Sequence, residues 1–151
     1  MSVVNQKSNL FADRLLDEVV PDPARARGRP IVIAGRAENA ADDSEGSKYL
    51  LFEAPSDCIV DPRTAFQVEN TGFAAIRIGT RTDPEALVSQ LKSAENVATP
   101  VAQFDANHGL PLWQVLGLEA DPGGNIGIYQ HAIANATGAG HLLFEIHYRY
   151  R

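Results

Sequence analysis

The chain has 151 residues, 44% of them hydrophobic and 21% charged, a size and balance that suit one globular domain with a real core and an appendage. Its net charge of -6 sets bulk electrostatics against nucleic acid and anionic membrane. The single cysteine, Cys58, excludes an internal disulfide and a multi-cysteine metal site and fits a reducing compartment, and no stretch approaches the roughly 20 apolar residues of a membrane span.

Residues 1–29 read as an extended N-terminal arm. Its first eight residues are polar, and the apolar residues that follow are broken by Asp13, Arg14, Asp17 and Glu18, so no signal peptide is expected. Asn9 can cap a short helix in which Phe11, Leu15 and Val19 recur at i, i+4 and i+8 with Leu16 beside them, and Pro21 and Pro23 stop it. An isolated helix of that length is marginal in water, so the stripe needs a surface to lie on. Arg25, Arg27 and Arg29 form a small basic run in an acidic chain. They offer too few phosphate contacts for nucleic acid and suit a linker or a partner-locking arm.

Residues 30–151 read as a β domain. Residues 31–34 form a short apolar strand, and residues 36–47, acidic, small and glycine-containing, read as an exposed loop. Strands are expected over 48–53, 58–60, 65–69 and 73–78, separated by the turn residues Pro55-Ser-Asp57, Asp61-Pro-Arg63 and Asn70-Thr-Gly72. Thr82 or Asp83 can cap a helix with Pro84 at its first position, Glu85 in its first turn and Leu87, Val88 and Leu91 as its stripe. A second helical turn is expected at Pro111-Leu-Trp-Gln-Val-Leu116, closed by Gly117, with Trp113 as a core plug. Asp121-Pro-Gly-Gly124 leads into residues 126–151, read as one β-hairpin. In its second arm Leu142, Phe144, Ile146, Tyr148 and Tyr150 alternate with His141, Leu143, Glu145, His147 and Arg149, one apolar face and one polar face. Together these features predict a mainly β fold, an antiparallel sandwich of the jelly-roll kind with one or two short helices.

Chemistry-bearing clusters are sparse. His141 and His147 share a strand face but stand about 20 Å apart at strand rise, too far to hold one ion, and His131 could face one of them across the hairpin. Asp105-Ala-Asn-His-Gly109 is the most site-like pentapeptide, able in principle to hold a ligand or polarise a water through Asp105, Asn107 and His108. The competing reading is a polar loop whose side chains satisfy backbone groups. Cys58 reads as a buried structural thiol, and no serine elbow, P-loop or dinucleotide fingerprint is present. No catalytic, cofactor-binding or metal-binding residue is assigned.

Several strings together resemble small virion structural proteins of tailed bacteriophages: Ser47-Lys-Tyr-Leu-Leu-Phe52, Gly72-Phe-Ala-Ala-Ile-Arg-Ile-Gly79, Pro111-Leu-Trp-Gln114, Asp121-Pro-Gly-Gly124, Ile128-Tyr-Gln-His-Ala132 and Ala136-Thr-Gly-Ala-Gly140. The resemblance spans roughly residues 47–151 and leaves out the arm. It implies a non-enzymatic capsid decoration or cement protein that binds the major capsid protein or other virion subunits, commonly as a trimer, in a particle assembled in the host cytoplasm, without cofactors or membrane. The alternatives are a phage tail or head-completion subunit, and a ligand-binding or hydrolytic β domain using the 105–109 loop. On the first reading Phe11, Leu15, Leu16, Val19, Arg25, Arg27 and Arg29 are the partner-binding residues of the arm.

Overall fold

Alternation along the chain becomes two packed sheets. The computed structural model describes residues 2–7 and 30–150. Its strands are β1 (Asn5–Lys7), β2 (Pro30–Asn39), β3 (Lys48–Pro55), β4 (Ile59–Val60), β5 (Ala65–Gln67), β6 (Ala75–Gly79), β7 (Val88–Leu91), β8 (Val97–Ala98), β9 (Asn125–His131) and β10 (Gly140–Arg149), with one helical turn, α1 (Leu112–Val115). One sheet has the order β1-β3-β9-β6-β7 and the other β2-β10-β5-β8, with β4 also on β10.

This order has a simple logic. The first half of the chain pairs antiparallel with the second, β2 with β10, β3 with β9, β5 with β8 and β6 with β7. A ribbon doubled back at the β6–β7 connection and then rolled gives two sheets whose strands alternate between its halves, the jelly roll. The inner faces meet through Phe144 of β10, whose ring lies 6.2 Å from Phe52 of β3 and 6.4 Å from Phe66 of β5. Leu142, Phe144, Ile146 and Tyr148 all point into this core, as their spacing predicts.

Several expectations are corrected. Residues 126–151 are not a hairpin: β9 and β10 belong to different sheets, and residues 132–139 carry the chain from one to the other. His131 therefore faces neither His141 nor His147 across a ladder. The helix expected from Asp83 is instead a turn and a strand. The Thr80 hydroxyl accepts from Asp83 N at 3.0 Å and the Asp83 carboxylate from Glu85 N at 3.2 Å, so the capping residues close a turn, and Val88 pairs with Ile78. Residues 36–39 are not loop but the far half of β2, ten residues long against β10, with Arg36 and Glu38 ion-paired on the outer face and Ala37 and Asn39 turned in. Residues 5–7 lie parallel to β3 as an added edge strand. The expected helix of residues 9–20, and with it Phe11, Leu15, Leu16, Val19, Arg25, Arg27 and Arg29, lies outside the described residues.

The expected helical turn is present as α1, capped at its start by Pro111 and followed by Gly117 at φ 78. Its buried side chains are Leu112 and Val115, with Leu116 just after. Trp113 is only half-buried, so the plug is aliphatic.

The sheet-crossing segment passes very close to the β5–β6 turn. Gly72 N donates to Asn39 Oδ1 and Thr137 N to Gly72 O, and a Cβ on Gly72 would stand 2.0 Å from Gly138 O. Backbone on backbone cannot yield cheaply. Gly72→Ala is therefore expected to cost about 3 kcal/mol through overpacking, and Phe144→Ala about 4 kcal/mol through the cavity it leaves between the sheets. Denaturant unfolding followed by tryptophan fluorescence measures both.

Candidate functional site

The 105–109 loop folds on itself. The Asp105 carboxylate accepts from Ala102 N and Asn107 N, each at 2.8 Å, and those bonds hold its pKa below the ordinary carboxylate value. Its carbonyl accepts from His108 N. Asp105 is thus a turn-former, the backbone-satisfying role weighed against a ligand-holding one. Phe104 beside it holds a left-handed backbone at φ 67, is 80% exposed, and rests its ring 5.2 Å from that of His108.

The same loop has an effect that sequence reasoning missed. It roofs the end of β10, where Gln103, His108 and Gly109 line a cleft of about 390 Å³ together with Asp61, Arg63, His147 and Arg149. His147 sits on the outer, expected polar face of its strand yet is only 9% exposed. Its Nε2 donates to Glu145 Oε1 at 2.6 Å, two residues back on the same face, and Nδ1 is buried without a partner among the described residues. The backbone of His147 is clamped as well. Its N–H donates to Thr64 Oγ1, whose hydroxyl donates back to His147 O, and Asp61 N donates to the same carbonyl. The sequence signal was Glu145-x-His147, adjacent on one strand face; the covering loop, some forty residues away, left no local trace.

The Asp61, Arg63 and Thr64 side chains at the cleft are engaged in structure. Asp61 accepts from Arg63 through both side chain and backbone, and the side-chain bond lowers its pKa first and most. The Thr64 hydroxyl is occupied on both sides by His147. What this arrangement does chemically is fix the β4–β5 turn onto the last strand. Cys58 is fully buried, and burial pushes its thiol up to about 12, consistent with a structural role. Among the described residues no group of three or more histidine, cysteine or carboxylate side chains gathers to hold a metal.

A second polar cluster lies at the opposite end of the roll, where β1 is seated. Ser47 is fully buried and its Oγ accepts from Val4 N at 3.0 Å. Asp43, also buried, accepts from Ala40 N and from the Tyr49 hydroxyl, whose pKa burial raises. Ser2 N donates to Asp42 O, Ser44 N to Ser2 O and Lys48 N to Val4 O. The polar start of the chain therefore completes a sheet edge.

The remaining histidines separate cleanly. His141 is half-buried at the start of β10. His131 is buried on β9, opposite Lys48, with Nε2 donating to Thr80 O at 2.7 Å. No protein-family model, curated protein or solved structure matches the chain.

Desolvation lowers the His131 pKa below its ordinary 6.5, with Lys48 adding to the effect. The folded state then binds fewer protons than the unfolded chain below that value. Its stabilising contribution is complete above pH 6.5 and is lost as pH falls through the window beneath it. Thermal or urea unfolding from pH 7 to pH 5 should show stability declining, and His131→Gln, which keeps a donor for Thr80 O, should decline less. Identical pH slopes for the two proteins would refute this account.

Proposed function

We propose that the protein is a non-enzymatic structural protein of a tailed-phage particle, a capsid decoration protein that binds the major capsid protein and reaches a neighbouring subunit with its N-terminal region. The observation that carries this reading is the seat of residues 2–7, where the start of the chain is fastened to the domain mainly by edge-strand addition, with one bond to the Ser47 hydroxyl. An end that attaches by backbone pairing is suited to joining subunits. Two further features support it. Four of the six strings that resemble virion proteins fall on β3, β6, α1 and β9, and the other two on the connections that lead into β9 and β10. The Asp105 carboxylate and the backbone of His147 are tied into turn and strand contacts.

A shell displays many copies, so modest single contacts sum to firm retention. The stripe Phe11, Leu15, Leu16 and Val19, with Arg25, Arg27 and Arg29, is the part of the chain assigned to the neighbour. Co-sedimentation with heads lacking the protein tests this. Wild type should pellet with heads. Leu15→Asp with Leu16→Asp should keep its β circular-dichroism spectrum and lose at least about tenfold in binding, the scale of one or two buried leucines. Wild type that stays in the supernatant would sink the decoration role, and full binding by the double variant would sink the arm's part in it.

A further inference from the structure

The strand Asn5–Lys7 differs from the others in two respects. It is the parallel member of sheets whose other pairings are antiparallel. It is also separated from β2 by residues 8–29, a connection far longer than those of the hairpins. Its seat, by contrast, is self-contained. Ser2 meets Asp42 and Ser44, Val4 meets Ser47 and Lys48, and Asn5, Gln6 and Lys7 lie opposite Lys48, Tyr49 and Leu50. Every receiving group belongs to residues 42–50.

Such a seat cannot distinguish which copy of the chain supplies the strand. The same bonds form either way, and only the tether decides. Twenty-two residues span about 33 Å as a helix and no more than about 75 Å extended, at least the roughly 30 Å breadth of a small domain. Seat and tether together permit an exchange that leaves each bond intact.

We infer that copies of this chain exchange residues 2–7 reciprocally, each laying its Asn5–Lys7 strand parallel to β3 of a second copy. Reciprocity matters for the balance. The first exchanged strand gives up intramolecular concentration, but the second then docks within an already joined pair, so the net cost is small. The occupant is a second copy because the sequence that fits the seat is the start of this chain, down to the Val4 N–H that fills the buried Ser47 hydroxyl. The inference rests on the reading that the N-terminal region joins subunits. It does not depend on which capsid protein lies beneath.

The test uses purified full-length chains without heads, so its outcome is separate from head binding. Chains carrying Asn5→Cys are mixed with chains carrying Lys48→Cys in a glutathione redox buffer. These positions are direct partners in the β1–β3 register, within reach of a disulfide, and Cys58 is too buried to compete. Exchange predicts disulfide-linked pairs on non-reducing gels, at least five-fold above a control mixing Asn5→Cys with Ser89→Cys, an exposed site on the far edge strand. A yield equal to the control would overturn the inference. A second measurement needs no cysteine: native mass spectrometry should find the unmodified chain as a dimer or larger, and Val4→Pro, which deletes the N–H given to Ser47, should shift it toward monomer. A wild-type monomer, or an assembly indifferent to Val4→Pro, would equally overturn it.

Discussion

The ten-residue ladder between β2 and β10, running from Asn39 opposite Gly140 to Pro30 opposite Arg149, is the pairing on which the rest of the structure depends. It closes the ribbon at its open end and holds β10 between β2 and the β4–β5 segment. With both sides of β10 paired, its period-two alternation must present one complete row inward. That row brings Phe144 against Phe52 and Phe66 and so defines where the two sheets touch. A one-residue slip would turn the row out and place His141, Leu143, Glu145 and His147 in the core.

Much of this framework was legible in the sequence because each strand is short and bounded by turn chemistry. The runs near 48–53, 58–60, 65–69 and 73–78 become strands, and the alternation of 142–148 becomes the central one. What was not legible was pairing at a distance. Residues 126–151 look like a hairpin because two strands flank a glycine-rich connection, yet each finds its partner in the first half of the chain, β9 on β3 and β10 on β2. The segment after Asp83 carries a sound capping pattern, but four residues of ladder against β6 outweigh a helix with little apolar stripe to bury. The run Tyr49-Leu-Leu-Phe52 shows the same override. All four side chains are buried because the register shifts between Leu50 and Phe52, a bulge that lets both Tyr49 and Phe52 face the core.

The polar clusters were legible only in part, for the same reason. Asp105 could be read as a turn-former from its neighbours alone. His147 could not be read as buried, since the β4–β5 turn that binds it and the loop that shares its cleft both come from distant parts of the chain. Asp43, Ser47 and Tyr49 could not be read as a seat, since the strand they receive is the polar Asn5-Gln-Lys7, which has no alternation to announce it. In both places buried polar groups fasten a segment that has little apolar surface of its own, and directional bonds supply the fixing that packing does not.

The two ends of the roll nonetheless differ in what their bonds join. Around His147 the partners Thr64, Asp61 and Glu145 all belong to the rolled ribbon, so the knot is internal and holds loops to strands. Around Ser47 one partner is the start of the chain, which lies outside the ribbon's pairing scheme. Without β1, the long edge of β3 would offer unpaired backbone groups to any passing strand, the usual route to unspecific association. Over Lys48–Leu50 a short, polar, parallel strand blocks such pairing while tying the chain's beginning to a defined register. The same three pairs of residues thus protect part of an edge and fix where the beginning of the chain lies.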